Sequence, residues 1–214
     1  MKFRNPLIPE LLAMRDFADT HAHTNYADGA DSIEAMAEQA QRNGLHCFAL
    51  TEHVRANGLT YDYTAFAQQV TACSGKDFMA INGTETKVLD AQGALDISPE
   101  LAHASNLRIA SFHDRMTPEM HRTAVRAMLR NPLIDIWGHP CALDADYTID
   151  EWISLCLLAK QNGVVIEVSN RYPMPAALFD ILKESGCGYL YASDAHDAQS
   201  IRTARSLPVI AVRA

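Results

Sequence analysis

LRIASFHDRMTPEMHRTAVRAMLRNPLIDIWGHP, residues 107–140, contains one full structural unit and the opening of the next. The largely apolar run 107–112 reads as a strand and ends in the polar pair His113-Asp114. Thr117-Pro118 then sets a capping hydroxyl before a proline that suits the first position of a helix, where no backbone N–H is needed. An amphipathic stretch follows, and a second apolar run, 133–138, ends in Gly138-His139-Pro140. Strand, polar end, helix, strand, polar end is the repeat of a βα architecture. Working outward, the same alternation extends from residue 17 to residue 206, with strands expected at 17–20, 46–51, 78–82, 107–112, 133–138, 164–168 and 189–193. Asp31 with Glu34 reads as a capping-box start and Gly44 as a stop; Ser98-Pro99 opens another helix. Segments 62–74, 150–162 and 175–185 complete the helical set, the last two closed by Gly163 and Gly186. Within 86–97, Asp90 to Gly93 reads as a tight turn in a hairpin inserted after the third strand.

Alternating strands and helices leave an open doubly wound sheet or a closed barrel. An open sheet gathers its functional residues beside one crevice, whereas a barrel converges every strand end on one mouth. Here every strand end is polar: Asp19-Thr-His21-Ala-His23, Thr51-Glu52-His53, Gly83-Thr-Glu85, His113-Asp114, Gly138-His139-Pro140, Glu167-Val-Ser-Asn170 and Ser193-Asp194-Ala-His196. That distribution favours the barrel. Six of the nine histidines fall in these clusters. Residues i and i+2 of a strand share a face, so His21 with His23, and Asp194 with His196, are expected to present paired ligands to a metal. A lone histidine at a strand end is more often a hydrogen-bonded structural residue. So many imidazoles and carboxylates at one end would cost several kcal/mol to bury without a cation. Imidazole and carboxylate without thiolate suit Zn²⁺, Mn²⁺ or Fe²⁺ and not Ca²⁺, which takes six to eight oxygens. His46, His103 and His121 are expected to be solvated.

The chain has 214 residues, with 18 Lys+Arg against 26 Asp+Glu and a net charge of −8. This balance gives no broad attraction to nucleic acid or to an anionic membrane, so any phosphate must be met by a local positive site. Hydrophobic residues at 48% and charged ones at 21% are ordinary globular values. Five cysteines without a CxxC pair read as reduced thiols. No apolar run reaches the roughly 18 residues of a membrane span, and the N-terminal stretch lacks a signal-peptide core. The expectation is one cytoplasmic domain over 1–214.

The ordered set HxH, T-x-H, G-x-E, H, G-H-P, E-x-S/N and S-D-x-H, from Asp19 to His196, resembles the PHP (polymerase and histidinol phosphatase) family. The stretch around 107–140 is especially similar to the PHP domains of bacterial family X DNA polymerases and to stand-alone phosphatases of that subgroup. The resemblance implies an α/β fold, a distorted TIM-like (β/α)7 barrel, with three divalent metal ions (Zn, Mn or Fe). It assigns His21, His23, Glu85 and Asp194 to a first ion. Glu85 would bridge to a second ion held by His113 and His139, and His53, His196 and Asp28 would hold a third. Where the family more often has T-D-H, this chain has Thr51-Glu52-His53. The implied reaction is hydrolysis of a small phosphorylated substrate, a phosphomonoester, by a hydroxide bridging two ions, with Glu85 and Asp194 in catalytic roles. Arg55, Arg115 and Arg171, each shortly after a ligand-bearing strand end, would clamp the phosphoryl oxygens. Asp19 and Glu167 would orient imidazoles. Rival readings are a 3′-5′ exonuclease or other phosphodiesterase, with nucleic acid as substrate only, and a catalytically silent metal-binding domain serving a partner. No membrane association is expected.

Overall fold

Seven strands form one parallel sheet in the computed structural model, which describes residues 2–143 and 146–206 and the backbone of 209–210. They are β1 (Ala18–Asp19), β2 (Cys47–His53), β3 (Met79–Lys87), β4 (Leu107–Ser111), β5 (Ile136–Trp137), β6 (Val165–Ser169) and β8 (Tyr189–Ala192), neighbours in that order. Two further strands of two residues, β7 (Met174–Pro175) and β9 (Val209–Ile210), pair with each other in a separate sheet. Parts of the expected 1–214 domain, namely residue 1, 144–145, 207–208 and 211–214, lie outside the described residues.

The two edges of the large sheet meet. Thr20 N donates to Tyr191 O at 3.2 Å, Asp194 N to His21 O at 2.9 Å and His23 N to Ala195 O at 2.8 Å, and Ala22 bridges Ala195 in parallel. The sheet thus closes into a distorted TIM-like barrel of seven parallel strands, as the polar strand ends imply, with the last strand followed by a 3-10 turn, Ala198–Ser200, where a seventh following helix is expected. Helices α2 (Ile33–Arg42), α3 (Tyr63–Ala72), α4 (Pro99–Ala104), α5 (Pro118–Met128), α6 (Ile149–Asn162) and α7 (Ala176–Ser185) follow successive strands, and α1 (Ile8–Ala13) precedes β1.

Period-two alternation sorts the strand residues into layers. Cys47, Ala49, Ile81, Leu107, Ile109, Ile136, Val165 and Leu190 form an inner core, which Ile8 and Leu11 of α1 join. Their strand neighbours Phe48, Leu50, Ala110, Trp137 and Ile166 belong instead to the cores shared with the helices. The inner row of β2 therefore runs Cys47, Ala49, Thr51, His53, and that of β3 runs Ile81, Gly83, Glu85. Gly83 lies where these rows pass from apolar to polar. A Cβ there would stand 2.6 Å from Thr51 Cγ2 and 2.7 Å from Leu107 O, so no larger residue fits.

Three local expectations need adjustment. β2 and β3 run to His53 and Lys87, past the expected ends at 51 and 82, because paired backbone carries the strands on where the apolar pattern stops. Helix α2 is capped by Ser32, which accepts from Ala35 N, and not by Asp31, whose carboxylate accepts from Ala198 N. His121 is partly buried, its ring edge-on to Phe112 with centroids 4.5 Å apart, and is not a solvated histidine. The expected hairpin is present as a small one: Val88 and Leu95 bridge antiparallel, and Asp90 accepts from Gln92 N and Ala94 N. Among the described residues, no helix is long and apolar enough to cross a membrane.

Candidate metal centre

The nine side chains expected as ligands converge at the carboxyl end of the barrel, with buried Glu85 at their centre. Its two oxygens face different sets of imidazoles. Oε1 lies 3.0 Å from His113 Nε2 and 2.9 Å from His139 Nε2. Oε2 lies 3.4 Å from His21 Nε2, 3.5 Å from His23 Nε2 and 2.9 Å from His53 Nδ1. The strand register explains the convergence, since His53 pairs with Glu85 on the neighbouring strand and both occupy inward rows.

Three groups can be distinguished. In the first, His21 Nε2 and His23 Nε2 approach to 3.1 Å, and Asp194 Oδ1 stands 3.8 and 3.4 Å from them. Glu85 Oε2, 3.4 and 3.5 Å from the same two nitrogens, joins them in one buried group of facing donor atoms, and Asp194 approaches that group from the imidazole side. The second group is Glu85 Oε1 with His113 and His139. In the third, Asp28 Oδ2 lies 3.4 Å from His53 Nε2 and 3.5 Å from His196 Nε2. His23 Nδ1, buried and without a hydrogen-bond partner, is 3.9 Å from Asp28 Oδ1 and so adds a donor to this group. Asp194 Oδ1 thus faces the first group and His196 Nε2 the third. β8 ends at Ala192 and Asp194 takes φ +52, so the stretch carrying the two residues is no longer extended strand, although Asp194 Oδ1 still lies 3.8 Å from His196 Nδ1.

The electrostatics mark a place for cations. Burial opposes ionisation of Glu85, yet His21, His113 and His139 outweigh it and hold its carboxyl well below the ordinary range. Burial likewise opposes Asp194, but His21 and His23 bring it down to about 2. His21 is raised well above the usual imidazole value, because Glu167, Glu85 and Asp194 overcome the effect of burial. His23 is pushed down to about 4, by burial first. Imidazole lone pairs facing one another and two carboxylates in a dry site fit divalent metal.

Supporting carboxylates differ in what they hold. Glu167 Oε2 accepts from His21 Nδ1 at 2.8 Å, which aims Nε2 inward. Asp19 does not orient an imidazole: its Oδ1 accepts from Ser193 N at 2.8 Å and His21 N at 3.4 Å, tying backbone across the closing edges. Glu52 also touches no imidazole among the described hydrogen bonds; its Oε1 accepts from Thr24.

Of the three arginines, Arg171 alone borders the ligand-lined cavity of about 260 Å³, where its Nη1 lies 2.7 Å from His196 Nδ1. Arg55 turns back to donate to Val54 O and stands 3.6 Å from Asp96 Oδ2. Arg115 borders an adjoining cavity with Met116, His121 and Tyr147. Sequence reasoning missed Tyr172, whose ring centroid is 5.1 Å from that of His139, and Leu143 at the cavity edge. The one available signal for Tyr172 was its place after Arg171. His139, Leu143 and Asp194 all take positive φ, +27, +57 and +52, so backbone strain gathers at the mouth.

Fold and site define a parallel α/β barrel with a metal-binding mouth. The PHP domain model matches residues 19–171, and the chain belongs to the PHP domain family. It is 32% identical over 163 residues to a "probable phosphatase" of Acetivibrio thermocellus, covering 73% of this chain and 66% of that protein. It is 28% identical over 199 residues to the DNA polymerase/3′-5′ exonuclease PolX of Bacillus subtilis, covering 86% of this chain and 35% of that protein. The chain thus spans about two thirds or less of these curated relatives' length. Among solved structures, a Listeria monocytogenes protein provisionally assigned as a histidinol phosphatase superposes with a TM-score of 0.65 at 15% identity, covering 86% of this chain and 97% of its own. A histidinol phosphate phosphatase of Lactococcus lactis, solved with zinc, L-histidinol and phosphate, gives 0.58 at 16%, covering 86% and 87%. These two similarities show the shared fold.

Proposed function

We propose that the protein is a metal-dependent phosphoesterase that hydrolyses a small phosphomonoester at a trinuclear centre. The observation that carries this reading is the division of Glu85, one oxygen toward His113 and His139 and the other toward His21, His23 and His53. A single carboxylate so placed suits two adjacent ions. His21, His23, Glu85 and Asp194 would hold the first, Glu85, His113 and His139 the second, and Asp28, His53 and His196 the third. Divalent ions bound there supply Lewis acidity and a water acidic enough to attack phosphorus near neutral pH.

The chain's own residues do the rest. Glu167 holds the His21 proton on Nδ1 and leaves Nε2 free as a donor. Arg171, at the cavity edge, offers guanidinium N–H groups to the phosphoryl oxygens, a charge-assisted contact that positions the ester. Ligand imidazoles must be neutral to bind metal, so activity should fall below roughly pH 6. The cavity of about 260 Å³ and the net charge of −8 suit a compact substrate better than a polyanion. Similarity to a probable phosphatase supports the same reading; similarity to PolX supports phosphodiester cleavage as the second reading.

The test is a screen of metal-reconstituted protein against mononucleotides, sugar phosphates, amino-alcohol phosphates and short single-stranded DNA. Some monoester should give the highest kcat/KM. A higher value for single-stranded DNA than for every monoester would replace the phosphatase reading with the exonuclease one.

A further inference from the structure

Asp28 reaches the third ligand group from a loop, residues 24–31, and not from a strand. Half of its surface is exposed, and its position depends on how that loop is held. The loop closes on the Thr24 peptide, whose carbonyl accepts from Ala27 N at 3.2 Å and Gly29 N at 2.9 Å. Thr24 is fixed in turn by one carboxylate oxygen. Glu52 Oε1 accepts from Thr24 N at 2.8 Å and from Thr24 Oγ1 at 2.6 Å, with both residues fully buried. Thr24 Oγ1 also accepts from Tyr26 N at 3.2 Å. There is little slack to absorb a shift, because a Cβ on Gly29 would lie 2.6 Å from His23 O. The far end of the loop is anchored separately, by Ala30 N on His196 O and Asp31 on Ala198 N. Glu52 sits one residue before His53 on β2, so one short stretch of strand sets both the His53 ligand and the anchor of the Asp28 loop.

We infer that Glu52 is a positioning residue for the Asp28–His53–His196 site, acting through Thr24 on the Asp28 loop and not on the two positions that share Glu85. This rests on the trinuclear reading. His21, Glu85, His113, His139 and Asp194 are held by strands, strand ends and Glu167, and none hydrogen-bonds Glu52 or Thr24 among the described contacts. His23, which precedes Thr24, has its own tie, its N–H donating to Ala195 O at 2.8 Å across the closing edges. The hydrogen-bond acceptor does the work, and a neutral amide oxygen in its place serves as well.

The experiment is equilibrium dialysis of the full chain against Mn²⁺, with bound metal counted, for wild type, Glu52→Ala, Glu52→Gln and Thr24→Val. Loss of support behind a metal site weakens affinity by roughly 10- to 100-fold. Wild type should bind three equivalents. Glu52→Ala should keep two and lose affinity for the third by that factor, while Glu52→Gln, which keeps the acceptor, stays within about threefold of wild type. Thr24→Val keeps its N–H and loses the hydroxyl, so its third equivalent should weaken by an intermediate amount. If Glu52→Ala fails to fold, selective weakening in Thr24→Val carries the same conclusion. Normal third-site binding in both Glu52→Ala and Thr24→Val, or in Thr24→Val alone where Glu52→Ala does not fold, overturns the inference. So does a loss in Glu52→Gln equal to that in Glu52→Ala, which would make the charge the cause. Two equivalents in wild type would instead overturn the trinuclear reading, and this role with it.

Discussion

Glu85 concentrates the most function into one side chain. Replacement by Gln removes the charge that two ligand groups share, so Glu85→Gln should lose at least two equivalents of metal together and about 100-fold or more in kcat. Metal counting beside steady-state kinetics checks this, and full metal content would show that Glu85 is no bridge. Glu52 gives a pH signature of its own. Burial pushes its carboxyl up to about 7, against the hydrogen bonds from Thr24, from an ordinary value of 4.5. The folded chain therefore holds the extra proton between those values. The stability this contributes is complete below about pH 4.5 and is lost as pH rises through about 7. Between pH 5 and pH 8, metal-free wild type should lose stability relative to Glu52→Gln, by about 3 kcal/mol at most; urea unfolding at the two pH values measures it. At this scale the sequence exposes the candidate ligands because histidines and carboxylates at strand ends are chemically conspicuous. It does not expose Tyr172, an aromatic residue like any other, nor the choice of Ser32 over Asp31 as a cap. That choice is made by Ala198, 167 residues away in sequence.

Among the elements, β3 shows why boundaries were harder to read than existence. Its outer half, Gly83 to Lys87, is polar and so looks like loop, yet it pairs with β4 residue by residue from Gly83↔Leu107 to Lys87↔Ser111. Tertiary pairing, which one sequence does not display, extends the strand. β7 and β9, two residues each, are too short to carry any pattern. Gly83 is where β3 is most constrained by space. Gly83→Ala should destabilise the metal-free protein by about 1–3 kcal/mol through overpacking against Thr51 and Leu107 O. A urea midpoint unchanged from wild type would show that the neighbouring strands yield at no cost.

For the molecule as a whole, metal and fold are expected to support one another, because ions bound to the folded mouth and not to the unfolded chain stabilise by mass action, about 2.7 kcal/mol per site at a hundred times Kd. Chelation should lower the thermal midpoint, and returning Mn²⁺ should restore it; an unchanged midpoint would mean that the mouth holds no tightly bound ion. The barrel was legible because the polar ends recur on every strand, while its closure depends on contacts between the two ends of the chain. Those contacts have a kinetic consequence. His21 and His23 follow β1, and Asp194 and His196 follow β8, so the first group of candidate ligands joins positions more than 170 residues apart along the chain. Such a non-local juncture closes late in folding. Metal that needs the completed juncture then slows unfolding and leaves the rate of folding nearly untouched, acting as a latch on a finished barrel and not as a template for building one.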